Sequence, residues 1–232
     1  MIAPVPFVKI CCISSLEEAR LAVSAGAAAL GLVSHMPSGP GVIAEDLIAE
    51  IAAAVPPPIA TFLLTSLQDA DAIVEQQRRL GANTLQIVDR LERGTYDEIR
   101  RALPGVRIVQ VIHVHGDETV EEAREVAPHV HAILLDSGNQ RLAVKELGGT
   151  GRAHDWRVSR RVRDAVSVPI FLAGGLRAEN VADGLRAVDP FGVDVCTGVR
   201  SNGALDAEKL RAFMLAVRDP SRAAAIPLDP TP

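Results

Sequence analysis

Short apolar or β-branched runs alternate along this chain with longer Ala-, Leu-, Arg- and Glu-rich stretches of helical period. Eight runs read as strands: Val8–Cys12, Ala29–Val33, Ile59–Leu64, Thr84–Val88, Arg107–Val114, Ala132–Asp136, Pro169–Ala173 and Val193–Cys196. Most intervals between them fit one strand plus one crossover helix. Ser15 is expected to cap a helix carrying Glu17 and Glu18 in its first turn, with Gly26 just past its end. Ser66 repeats the capping pattern before a helix over Ala70–Leu80, which Gly81 stops. Thr119 is expected to cap a helix through Val120, Ala123 and Val126, with Pro128 beyond it. Glu179–Ala187 and Asp206–Val217 supply the last two helices.

Strict alternation with near-continuous apolar strands implies a parallel sheet covered by helices. Eight such units favour a closed α/β architecture, the (β/α)8 TIM barrel, as a single domain over residues 1–218. A Pro/Ala-rich tail over 219–232 would lie on its surface. The open dinucleotide-binding sheet is disfavoured, because Cys11-Cys12-Ile13-Ser14 stands where a GxGxxG turn would follow the first strand.

Composition narrows the function classes. The chain of 232 residues is 48% hydrophobic, enough for a packed core, and carries a formal net charge of −5 with 3% aromatic residues. That balance argues against a nucleic-acid surface, which needs concentrated positive charge and stacking aromatics. No apolar run is long enough to span a membrane and no secretory leader is evident, so a cytoplasmic protein is expected. Three cysteines, Cys11, Cys12 and Cys196, suggest free thiols rather than a disulfide framework, and no ligand pattern completes a metal site.

Barrels carry chemistry at the C-terminal ends of their strands. Gly174-Gly175 after strand seven and Thr197-Gly198 after strand eight would expose backbone N–H groups where barrels usually bind phosphate. The alternative is a pair of ordinary tight turns. Cys11 and Asp136 end strands one and six, facing each other across the mouth, where a thiol and a carboxyl can divide base and acid roles. A buried cysteine can equally be a small hydrophobe, and a strand-end aspartate a turn cap. The long segment from Ser137 to Trp156, with Gly148-Gly149-Thr150-Gly151, reads as a lid. His113 and His115 share a strand face without a third ligand, while His129 and His131 flank the start of strand six at the far end of the barrel.

Taken together these segments resemble the phosphoribosylanthranilate isomerase family of tryptophan biosynthesis. The resemblance rests on Lys9-Ile10-Cys11, Leu134-Leu135-Asp136-Ser137, Gly148-Gly149-Thr150-Gly151 with Asp155-Trp156, Leu172-Ala173-Gly174-Gly175-Leu176 with Glu179-Asn180-Val181, and Gly192-Val193-Asp194-Val195 with Thr197-Gly198-Val199. It implies an Amadori rearrangement of a small phosphorylated substrate, with Asp136 as general acid and Cys11 as general base. It further implies phosphate contacts at Gly174, Gly175, Thr197 and Gly198, and substrate contacts at Lys9, Gln86, Gly149 and Thr150. No cofactor or metal is implied, and the barrel would work as a monomer or homodimer.

Four positions depart from the family pattern. Cys12 replaces a glycine, and Pro37-Ser38-Gly39-Pro40-Gly41 lacks the arginine that holds the anthranilate carboxylate. Val88-Asp89 replaces a His-Gly pair, and Arg200 replaces a glutamate. Asp89 would repel a carboxylate, whereas Arg141, Arg152 or Arg177 could supply a substitute cation. Two further readings follow: a paralogue acting on another phosphorylated substrate, and a non-catalytic barrel that binds a phosphometabolite.

Overall fold

In the computed structural model, residues 6–138, 145, 147 and 154–219 are described. Eight parallel strands close into a barrel in sequence order. They are β1 (Phe7–Ile10), β2 (Ala29–Val33), β3 (Ala60–Thr65), β4 (Thr84–Ile87), β5 (Arg107–His113), β6 (Ala132–Asp136), β7 (Ile170–Leu172) and β8 (Gly192–Val195). Closure comes from β1 against β8, with Lys9 opposite Asp194 and Ile10 opposite Val195. The covering helices are α1 (Leu16–Ala25), α2 (Glu45–Ala54), α3 (Ala70–Leu80), α4 (Tyr96–Ala102), α5 (Glu118–Val126), α6 (Trp156–Ala165), α7 (Val181–Val188) and α8 (Ala207–Arg218). A two-stranded hairpin, Arg200–Ser201 with Ala204–Leu205, leads into α8.

Side chains alternate between two cores, as the twofold period of a strand requires. Val8, Ile10, Leu30, Leu32, Leu85, Ile87, Val193 and Val195 face the helices. Ala29, Phe62, Val109, Val111, Ala132, Leu134 and Phe171 fill the barrel interior. Each fully buried Leu, Ile or Phe contributes about 1.5–3 kcal/mol, so the helix-facing shell dominates the stability. The same alternation sends Lys9 and Asp194 inward, both buried.

Several strand ends and helix starts shift from the sequence expectation. Cys11, Cys12, Val88, Val114, Ala173 and Cys196 lie just beyond their strands. Ser15 caps α1 as expected, accepting from the Glu18 amide, and Gly26 closes it in the left-handed region. Ser66 does not cap α3: Asp69 does, accepting from Ala72 N. Ser66 instead donates to the His35 carbonyl at 2.8 Å, which ties it to the preceding strand ends. Thr119 lies inside α5, whose cap position is Asp117, and its hydroxyl accepts from the amides of His115 and Gly116. α7 starts at Val181 rather than Glu179, and Asp206 caps α8 with two amide contacts. The expected tail falls outside the described residues except for Asp219. Among the described residues, no helix is long and apolar enough to cross a membrane.

Candidate active site

The closure seam places a charged cluster under the barrel mouth. Lys9 is fully buried, and its Nζ lies 2.9 Å from Asp194 Oδ1 and 3.4 Å from Cys11 Sγ. The ammonium also sits 5.3 Å from the centre of the Phe62 ring, a cation–π contact in a dry setting. Burial works against the Lys9 charge, but Asp194 and the Cys11 sulfur outweigh it, and its pKa is raised. A Cβ at Gly31 would stand 2.7 Å from Cys11 Sγ and 3.0 Å from Lys9 Nζ, so the glycine on β2 provides the space for both side chains.

Cys11 and Asp136 are pushed in opposite directions. The Cys12 thiol, donating to the Cys11 sulfur, is the largest influence lowering the Cys11 pKa, and Lys9 adds to it against burial and Asp194. Asp136 is raised by burial, although the Ser137 amide donates to its Oδ1 at 2.7 Å and works the other way, as does Lys9. A thiol made easier to ionise and a carboxyl made harder to ionise thus face one cavity. That is the pattern by which one site runs base and acid chemistry together. Asp194 is also raised by burial, with Lys9 opposing.

Above this cluster two turns approach each other. Gly174 and Gly175 have φ of 79° and 63°, which lets the chain turn back immediately after β7. Asn180 fixes that turn, accepting from the Arg177 amide at 2.9 Å and donating to the Gly175 carbonyl at 3.0 Å. Thr197–Val199 forms a single 3-10 turn after β8. At Gly198 any Cβ would collide with the backbone of Leu176 and Arg177, so only glycine lets the two turns touch. Among the described residues, the amides of Gly174, Gly175, Thr197 and Gly198 donate to no other group. Such unsatisfied donors on a concave surface suit an anion.

These groups line a cavity at the barrel mouth that is partly open to solvent. Gln86 reaches it from β4 with its Oε1 buried and without a partner among the described residues. Asp89 does not confront the cavity as a free charge: Lys145 Nζ lies 2.5 Å from its Oδ2, and the Arg90 amide donates to Oδ1 at 2.8 Å. Arg177 pairs with Glu179 at 3.4 Å on the surface and supplies no cation to the mouth. Gly149, Thr150, Arg141, Arg152 and most of the expected lid lie outside the described residues. Among the described residues lining the cavity there is no lysine or arginine, and no group of three or more His, Cys, Asp or Glu side chains could hold a metal.

The family departures at Arg200 and Cys12 turn out to be neighbours. The Arg200 guanidinium bonds to the Cys12 carbonyl and lies 3.4 Å from that of Cys11. It also pairs with Glu18 at 2.9 Å and donates to the Gly203 carbonyl at 2.8 Å. Burial works to raise Glu18, but Arg200 and the amides of Leu205 and Ser14 hold its carboxyl below the ordinary value. The ion pair therefore clamps the first and last strand ends together. Sequence reasoning missed Asp194, Gly31 and Glu18. Asp194 carried a usable signal, since an acid alone within an apolar strand needs a buried partner, and Lys9 sits correspondingly on β1.

Two histidines, His113 buried and His154 half-buried, should make the protein acid-sensitive. Burial lowers both His113 and His154 from 6.5 to about 4. Between these values the unfolded chain binds more protons, so stability is present above pH 6.5 and is lost as pH falls toward 4. Going from pH 7 to pH 5 should remove about 2 kcal/mol per histidine. Urea midpoints at the two pH values, with His154→Gln as control, would check this.

The fold and this cavity define a (β/α)8 barrel with a thiol, a carboxyl and two amide-lined turns at one mouth. The family model described as N-(5'phosphoribosyl)anthranilate (PRA) isomerase matches residues 8–216. An N-(5'-phosphoribosyl)anthranilate isomerase of Haloferax volcanii is 36% identical over 213 residues, covering 91% of this chain and 92% of the relative. N-(5'-phosphoribosyl)anthranilate isomerase 2 of Methanosarcina mazei is 34% identical over 209 residues, covering 89% and 92%. The solved phosphoribosyl anthranilate isomerase of Thermococcus kodakaraensis superposes with a TM-score of 0.75 at 30% identity, covering 93% of this chain and all of that one. The chain belongs to the N-(5'-phosphoribosyl)anthranilate isomerase family.

Proposed function

We propose that this protein converts N-(5'-phosphoribosyl)anthranilate to its 1-deoxyribulose 5-phosphate isomer, in the cytoplasm and without a cofactor, with Asp136 as general acid and Cys11 as general base. The observation that carries the assignment of roles is the opposed shift of the two groups in one cavity. Asp136 protonates the furanose ring oxygen, and the C1′–O bond breaks to give an open-chain Schiff base. The Cys11 thiolate then removes the C2′ proton, and the resulting enolamine tautomerises to the ketone. Lys9 holds the thiolate, its positive charge divided between the Cys11 sulfur and Asp194. The amides of Gly174, Gly175, Thr197 and Gly198 take the phosphate, and Gln86, whose carbonyl has no partner among the described residues, accepts from a sugar hydroxyl. Gly149 and Thr150 complete the substrate contacts in this reading.

The reaction needs Cys11 ionised and Asp136 protonated at once. The pH profile of kcat/KM should therefore be bell-shaped, rising as the thiol ionises and falling as the carboxyl does. A profile without either limb would count against the pair.

One observation favours a second reading, a related phosphorylated substrate without a carboxylate: among the described residues, no lysine or arginine lines the cavity. Losing a charge-assisted contact costs about 1.5–3 kcal/mol, roughly ten- to a hundredfold in affinity. A steady-state assay on phosphoribosylanthranilate generated in situ decides between the two. Turnover supports the first reading, and a folded, phosphate-binding protein without turnover supports the second.

A further inference from the structure

Two of the three cysteines have no proton to transfer in the proposed reaction, yet the fold brings them together. Cys12 Sγ and Cys196 Sγ lie 2.6 Å apart, both on the wall of the mouth cavity. The barrel seam fixes this approach: Ile10 pairs with Val195, the Cys11 amide donates to the Val195 carbonyl at 2.8 Å, and the residues that follow leave side by side. Cys12 is held in place from three sides. Its φ of 62° lies in the left-handed region, Arg200 bonds to its carbonyl, and Pro40 O is 3.7 Å from its sulfur. A Cβ at Gly41 would overlap the Cys12 side chain, so the altered loop after β2 is shaped to this cysteine. Cys196 is half-buried and is the most exposed of the three, within reach of a small solute. Closing to the S–S distance of about 2.0 Å needs only a small side-chain rotation.

We propose that Cys12 and Cys196 form a reversible disulfide under peroxide, closing a redox switch beside Cys11. The Cys196 thiol loses its proton and its sulfur attacks a peroxide oxygen; the O–O bond breaks, the sulfur becomes a sulfenic acid, and the departing hydroxide takes up that proton as water. The Cys12 sulfur then attacks the sulfenic sulfur, the S–O bond breaks, and a second water leaves with the Cys12 proton. Two thiols and one hydrogen peroxide thus give one disulfide and two waters, and a dithiol reverses the step by exchange. Cys12 follows Cys11 directly and both line the cavity with Cys196, so closing the disulfide reshapes the wall beside Cys11 and lowers turnover. This consequence for turnover rests on the proposed role of Cys11, whereas the disulfide itself does not.

The test treats the whole protein with one equivalent of hydrogen peroxide, alkylates remaining thiols in denaturant and digests with trypsin without reductant. Mass spectrometry should find Ile10–Arg20 joined to Ala187–Arg200 with one alkylated cysteine, and dithiothreitol should release the two peptides. The link should persist in Cys11→Ser and vanish in Cys12→Ser and Cys196→Ser. A link confined to Ile10–Arg20, one that requires Cys11, or three fully alkylatable thiols would overturn the proposal. Turnover of the oxidised protein should fall by about tenfold or more and recover with dithiothreitol, while Cys196→Ser keeps its own starting rate. A disulfide that leaves turnover unchanged would overturn the switch. A reduced protein with no turnover would defeat the proposed reaction, and the switch with it, while the cross-link stands on the mass data.

Discussion

Replacing Cys11 with alanine should lower kcat by about 10²–10⁴-fold while leaving phosphate-dependent ligand binding in place. The loss should fall on kcat, because in the proposed mechanism the thiolate acts only once the sugar ring has opened. Cys11→Ser should be nearly as poor, because a hydroxyl beside Lys9 does not ionise near neutral pH as a thiol does. Two donors favour ionisation of the wild-type thiol, the Cys12 thiol and Lys9 Nζ at 3.4 Å. Single-turnover kinetics on the two variants, with a product analogue titrated into each, separates lost chemistry from lost binding. A variant with undiminished kcat would move the base to another group.

The second large effect is on folding. Lys9 is 0% exposed and its carboxylate partner is Asp194 at 2.9 Å. Asp194→Asn would leave the ammonium with a neutral partner inside the barrel, and breaking a buried pair from one side costs about 3–5 kcal/mol. The double replacement Lys9→Met with Asp194→Leu should recover much of that stability, since the pair's own desolvation disappears with it. Such a protein should fold and bind phosphate yet turn over poorly, because Cys11 has lost its cation. Thermal melts of the single and double variants check the stability half. Equal destabilisation in both would show that packing, not the unpaired charge, sets the cost.

Much of the architecture was legible because the strands are short, largely apolar runs and each crossover carries a helical period. Strand ends were read one or two residues long, since Cys11, Val88, Ala173 and Cys196 keep an apolar character beyond the last ladder bond. The α3 cap was misplaced because Ser66 and Asp69 are both good caps, and only the contact from Ser66 to His35 O removes the first from competition. Cys11, Asp136 and the Gly174-Gly175 turn were legible from strand-end position alone. The Lys9–Asp194 pair was half legible: an acid within an apolar strand signals a buried partner, but only closure of the eighth strand on the first names it. Arg200 looked like a lost glutamate in sequence, whereas in the fold it meets Glu18, 182 residues away along the chain. Asp89 likewise looked like a repulsive charge until Lys145 was seen against it. Local pattern identifies strands and turns, and ring closure decides which charges meet.

The most direct test of the account is turnover of phosphoribosylanthranilate, followed by its fluorescence loss, in the wild-type protein and in Asp136→Asn. The amide keeps the shape of the acid, so the variant should fold and bind a product analogue with unchanged affinity. Its turnover should nevertheless fall by about 10²-fold or more, because the ring oxygen has no proton donor. Wild-type turnover matched by Asp136→Asn would contradict the account at its centre.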